Sequence, residues 1–261
     1  MADWRENILT DDAKIRDLLR STRRVAVLGM KTEAQADQAA FYVPKFLADA
    51  GVDVVPVPVY YPDAKEILGK PVYRKVADVP GALDLARAQL VAAENMTEVQ
   101  GALTAIMNSA APYKADALAR LARAWSNEPL LMNKWLQVQA TAMAQPGEPP
   151  GVDRIRALMR HPAFSMDNPN AVFALLRAFC VLNEAEFHRR GADGYGLWVD
   201  VVLALDRINP TVAARIARAL DRWRRFATDR QQAMREALER VAAAAPLSRD
   251  VREIVTKSLE N

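Results

Sequence analysis

The feature that most limits what this chain can fold into is a helix-start signal that occurs twice, Asn168-Pro169 and Asn209-Pro210. An asparagine side-chain oxygen can accept from the unpaired N–H groups of a first helical turn. Proline suits the first helical position because its missing N–H would have no partner there. After the first signal, Val172, Phe173, Leu175, Leu176 and Phe179 recur at helical spacing, and Asn183 suits a stop. After the second come Val212, Ile216, Leu220 and Trp223. Each set marks a wide buried helix face.

The same periodicity predicts helices over 84–93, 114–125, 194–206, 210–226, 229–244 and 248–259. Thr97 with Gln100 reads as a capping box for a helix carrying Val99, Leu103, Ile106 and Met107. Pro129 opens another through Leu130, Leu131, Trp135 and Val138, and the Pro/Gly-rich segment 145–151 is a loop. The expected helical core includes Trp135, Phe164, Phe173, Phe179, Leu205, Ile208 and Trp223.

The N-terminal third has a different grammar. Thr10 reads as the cap of a helix over 11–20 with Ile15, Leu18 and Leu19 on one face. Residues 25–28 form a short apolar strand ending at Gly29, and 52–59 a second strand after Gly51. Between them a helix over 33–50 turns Phe41, Val43, Phe46 and Leu47 inward, with Pro44 kinking it or marking a late start. The order β-α-β, with one glycine in its first turn, opens a nucleotide-binding half-fold.

The 261 residues are 51% hydrophobic and 26% charged, with net charge +3, which fits a globular chain. Arg222, Arg224 and Arg225, beside Asp221 and Asp229, read as a solvated face, since no aromatic platforms interleave them as nucleic-acid binding would require. Cys180 is the single cysteine and sits in an apolar helix, which implies a core residue. Only His161 and His188 are present, in separate segments, and no HExxH occurs; neither a catalytic residue nor a metal ligand is assigned. Both histidines are expected to cap helix-end carbonyls. No apolar run reaches 18 residues and the first residues do not read as a signal peptide, so no membrane partner and a cytoplasmic location are expected.

The motifs HPAF, NPN, FH, GYG and INPTVAARIARAL, with NKWLQVQA before them and LSRDVREIVTKSL after, resemble the C-terminal helical domain of the aminopeptidase N family of M1 zinc peptidases. The resemblance implies a superhelix of helix pairs that closes over a catalytic domain and carries no zinc. It also implies that Thr211, where the family has glutamine, and Arg215 look toward substrate. Residues 15–81, through VAVLG, YVPKFLADAG, ILGKPVY and ADVP, are similar to small Rossmann-type CoA-binding proteins. That likeness implies that Gly29, Met30 and Lys31 face cofactor phosphates, with CoA as the cofactor it admits. The further strands of that family are replaced by the helical ALDLARAQLVAAENMTE, so the unit is cut short.

The expected fold is therefore mainly α: a solenoid-like superhelix of helix pairs over 83–261, behind a small α/β Rossmann-like fragment over 1–82. The expected function is a non-catalytic helical interaction or lid-type module fused to a partial CoA-binding fold. The alternatives are a CoA or nucleotide binder using the Gly29 loop, and an accessory part of a zinc aminopeptidase. The expected partner is a second copy of the chain or a peptidase-like protein, with no nucleic acid.

Overall fold

The computed structural model describes residues 10–260. The stretch read for a signal peptide lies largely outside the described residues. The chain divides into two units between Leu85 and Ala86.

In the first unit, helix α1 (Asp12–Ser21) is capped by Asp11, whose carboxylate accepts from the Ala13 and Lys14 N–H groups, one residue later than Thr10. Its Leu18 and Leu19 are exposed. Strand β1 (Arg24–Leu28) pairs in parallel with β2 (Asp53–Val57), placing Arg24 opposite Asp53 and Leu28 opposite Val57. Between them lie a 3-10 turn, Glu33–Gln35, and α2 (Ala39–Asp49), so the expected 33–50 helix starts late. Pro44 sits inside α2 and, lacking an N–H, leaves the Ala40 carbonyl without its helical donor. The Lys31 N–H takes that place at 3.1 Å.

Strands β3 (Glu66–Ile67) and β4 (Lys70–Pro71) form a hairpin that the sequence did not announce. Its two turn residues, Leu68 and Gly69, both have positive φ, as the twist-matched two-residue turn demands. Met30, Phe41, Val54 and Ile67 make one core cluster of this unit, and Val55, Val57 and Val79 a second. Val43 and Phe46, expected inside, are exposed: helical spacing marks a stripe, but α2 meets only a two-stranded sheet and buries only part of it.

The second unit is all helix among the described residues. Helix α3 (Ala82–Ala92) crosses the division. Next comes α4 (Met96–Met107), whose cap is Asn95 rather than Thr97. Asn95 Oδ1 accepts from the Glu98 N–H at 3.0 Å, and Glu98 Oε2 accepts from the Glu94 N–H at 3.1 Å. There follow α5 (Lys114–Trp125), α6 (Pro129–Thr141), α7 (Gly151–Leu158) and α8 (Pro169–Val172). Asn168 caps α8 as expected. It runs directly into a π-helix, Phe173–Leu182, then α9 (Glu184–Phe187) and α10 (Gly194–Ile208). Helix α11 (Pro210–Ala217) is capped by Asn209 and breaks into 3-10 turns at Arg218–Leu220 and Trp223–Arg225, short of the expected continuous helix to 226. Helices α12 (Thr228–Ala242) and α13 (Arg249–Glu260) complete the unit.

Helix α6 packs on the π-helix, α10 on α11 and α12, and α13 on both α11 and α12. Three tryptophans tie these layers, each satisfying its indole N–H on a neighbouring carbonyl, as a buried donor must. Trp135 donates to Leu118 at 3.0 Å, Trp198 to Ile216 at 3.1 Å and Trp223 to Ser258 at 2.8 Å. Arg222, Arg224 and Arg225 are exposed, as expected of a solvated face, and Arg224 also donates from there to the Ser258 and Leu259 carbonyls, capping the end of α13. Trp135, Phe164, Phe179, Leu205 and Trp223 are buried as expected. Ile208 is 46% exposed because it closes the last turn of α10, and Phe173 is half-buried.

Phe179 is fully buried and meets Phe187 edge-on at 5.9 Å. Phe179→Ala should destabilise the chain by about 3–5 kcal/mol in equilibrium denaturant unfolding, and Ile208→Ala by less than about 1 kcal/mol. Similar losses for the two would contradict this packing.

Candidate functional site

The site rests on a buried polar brace. The end of α6 presents carbonyls that its own helix cannot satisfy. Asn183 Nδ2 donates to the Ala140 and Ala142 carbonyls at 2.9 and 3.1 Å, and Arg154 donates to those of Gln139 and Ala142. Glu186 accepts from the Ala144 N–H at 3.0 Å and the Gly151 N–H at 2.7 Å. A side chain at Gly151 would place its Cβ 3.0 Å from Glu186, so glycine lets the start of α7 approach the carboxylate. Gly194 is tighter still: a Cβ there would meet the Phe187 carbonyl at 2.2 Å. These contacts fix the π-helix and α9 against α6, α7 and α10.

The outer face of the π-helix, with α9, α11 and the 3-10 turns after it, forms a cleft of about 770 Å³. Arg177, Arg215, Arg218 and Arg222 line it, with Glu184 and Asp221 as its acids. Arg215 lies over the Phe173 ring, 5.7 Å from its centroid. Arg218 reaches Asp221 at 3.4 Å, and the other Asp221 oxygen accepts from the Ser258 hydroxyl at 2.9 Å. Phe226 forms another wall and meets the His188 ring at a tilt of 43°, with centroids 4.4 Å apart.

His188 does not cap carbonyls. Its Nδ1 lies 2.9 Å from the Tyr195 hydroxyl, and burial pushes the imidazole below its ordinary pKa, opposed by Glu184 and reinforced by Arg230. His161 likewise accepts, through Nδ1, from the Ala163 N–H at 3.1 Å. Cys180 is buried in the cleft floor, and burial drives its thiol pKa far up, which removes the thiolate a nucleophile needs. Among the described residues no group of three or more His, Cys, Asp and Glu side chains could hold a metal ion.

Of the residues assigned by resemblance, Arg215 lines the cleft. Thr211 does not: its hydroxyl donates to Asp250 at 3.3 Å. Arg177, Arg218 and Arg222 were missed as site residues. Arg215, Arg218 and Arg222 stand at i, i+3 and i+7, a spacing that would have put them on one face.

The Gly29–Lys31 loop is built differently from an open anion cradle. The Gly29 N–H donates to Val57 at 2.8 Å, prolonging the strand ladder, and the Lys31 N–H is held by Ala40. The Met30 side chain is fully buried in the core rather than turned toward phosphate. The Lys31 ammonium lies over the Tyr60 and Tyr61 rings at 5.5 and 5.4 Å.

Residues 73–260 match the family model of a domain of unknown function with ARM repeats, DUF3458_C. The chain belongs to this family. Aminopeptidase N of Caulobacter vibrioides is 36% identical over 182 residues, covering 69% of this chain and 21% of that protein. The Escherichia coli aminopeptidase N is 35% identical over 167 residues, covering 64% and 19%. Aminopeptidase A of Legionella pneumophila, solved in complex with aspartic acid, superposes with a TM-score of 0.63 at 33% identity over 69% of this chain and 21% of that one. The chain thus spans about a fifth of the length of these relatives. The matched region is the C-terminal helical domain of aminopeptidase N, which is not its catalytic part. Among the described residues no helix is long and apolar enough to cross a membrane.

Two outcomes follow from this geometry. Burial lowers the His188 pKa in the folded chain, while the unfolded chain takes the proton near the ordinary value of about 6.5. Unfolding free energy should therefore fall as pH drops from about 7 to about 5, and less steeply in His188→Gln. Equal slopes would contradict the burial of the imidazole. Calorimetric titration with CoA should give a dissociation constant no tighter than about 1 mM; micromolar binding lost in Gly29→Val would contradict the loop geometry.

Proposed function

We propose that the helical unit is a non-catalytic, lid-type interaction module that packs on a peptidase-like partner. The supporting observation is the match of residues 73–260 to a helical-repeat family, with relatives named aminopeptidase N of which this chain spans a fifth. The physical grounds are consistent with that role. Helix pairs stacked on their neighbours give a rigid, extended surface, which is what repeat folds offer a partner. The charged cleft opens on that surface, built from side chains and lacking a nucleophile or a metal cluster among the described residues.

The alternative of a CoA-binding protein draws no support from the Gly29 loop, whose flanking N–H groups are already bonded. Self-association is the competing partner choice, through the exposed apolar residues of the first unit such as Leu18, Leu28 and Phe46.

The test is a pair of measurements. The purified chain, supplied with zinc, should release no product from an aminoacyl p-nitroanilide. It should sediment as one complex with an aminopeptidase N catalytic portion lacking its own helical domain. Turnover by the chain alone, or a chain that sediments only with itself, would contradict the reading.

A further inference from the structure

The cleft between the π-helix and α11 has a charge balance that its own residues do not settle. Four guanidinium groups line it against two carboxylates. Asp221 is held by Arg218 and the Ser258 hydroxyl. That leaves Arg177, Arg215 and Arg222 facing the space with no ion pair to any described residue, and Glu184 as the one remaining acid. Like charges brought to one cleft repel, and nothing in the packing of the helices asks for them: all three residues are exposed, Arg177 and Arg215 on helices whose buried faces are apolar and Arg222 between the two 3-10 turns. The arrangement is instead what an oxyanion requires, since a guanidinium presents a planar fork of donors matched to carboxylate or phosphate oxygens.

Two further features shape the ligand. Arg215 is held over the Phe173 ring, so one fork is positioned before anything binds. Phe173, Val181, Ala219 and Phe226 supply apolar wall beside the arginines, so the cleft offers contact to a carbon body as well as charge. The volume of about 770 Å³ is that of a small-molecule site.

We propose that this cleft binds a small organic dianion, a phosphate monoester or a dicarboxylate with an apolar or aromatic body, through Arg177, Arg215 and Arg222. The excess of three free arginines over one acid sets the complementary charge at two. This site lies wholly within the helical unit and does not depend on the partner proposed above.

The test is calorimetric titration of the full chain with phenyl phosphate, phthalate and benzylamine. The first two carry two negative charges on an aromatic ring, as a phosphate and as a dicarboxylate; the third is a similar body with a positive charge. Binding by at least one dianion and not by benzylamine is expected, and the tighter dianion identifies the chemistry. Arg177→Gln and Arg222→Gln should each weaken it about tenfold or more. Arg235→Gln, which removes the same charge from an exposed ion pair with Glu239 elsewhere, should leave it within about twofold. Because the substituted arginines are exposed, circular dichroism should show the variants folded. A readout free of substitutions is phenylglyoxal labelling of the unaltered chain, where the bound dianion should protect Arg177, Arg215 and Arg222 while Arg235 remains reactive. Binding of neither dianion at about 10 mM, equal weakening by Arg235→Gln, or unselective protection would overturn the proposal.

Discussion

Glu186 is 5% exposed, and its carboxylate accepts from the Ala144 and Gly151 N–H groups, with the Arg189 guanidinium 3.4 Å away. Without those partners, a carboxylate so far from water would cost the fold several kcal/mol. With them, it fastens the segment between α6 and α7 to α9. Asn183 and Arg154 complete the brace from the other side, satisfying the carbonyls that end α6. A segment rich in proline and glycine has few side chains to bury. Here it is held through its backbone, which is why it does not separate α6 from α7.

The cleft depends on that brace. The π-helix ends at Asn183 and α9 begins at Glu184, so the residues that hold the loop also set where the outward side of the π-helix points. Arg177 and Phe173 face outward on it, while Leu175, Leu176 and Phe179 are fully buried on the other side. The break of α11 after Ala217 then brings Arg218 and Arg222 around the same space. In the first unit one proline has a comparable reach. Pro44 frees the Ala40 carbonyl, which holds the Lys31 N–H and so removes it from the surface offered to an anion.

What could be read in the sequence was whatever local chemistry decides. Asn168-Pro169 and Asn209-Pro210 start helices because a cap needs only its own next three residues. The parallel pairing of residues 24–28 with 53–57 follows from two apolar runs with a helix between them. Choices between neighbouring candidates were less legible: Asn95 and Thr97 are both competent caps, and the Glu98 partner at the right offset decided for Asn95. The π-helix was illegible, since its apolar positions fit a 3.6-residue period and only packing selects the wider turn. The cleft was half-legible. Arg215 was found through resemblance, but Arg177 lies 38 residues away, and only the tertiary fold shows that the two share a space. The capping role of Arg224, which is exposed as read, was illegible for the same reason: the carbonyls it caps belong to the last turn of α13.

Native-state hydrogen exchange of the Ala144 and Gly151 amides tests the brace most directly. If Glu186 fastens this segment into the core, both amides exchange as slowly as those in the middle of α6, through the same global opening. Exchange of either at the rate of an exposed loop, while α6 stays protected, would show that the carboxylate does not hold the segment and would contradict the account.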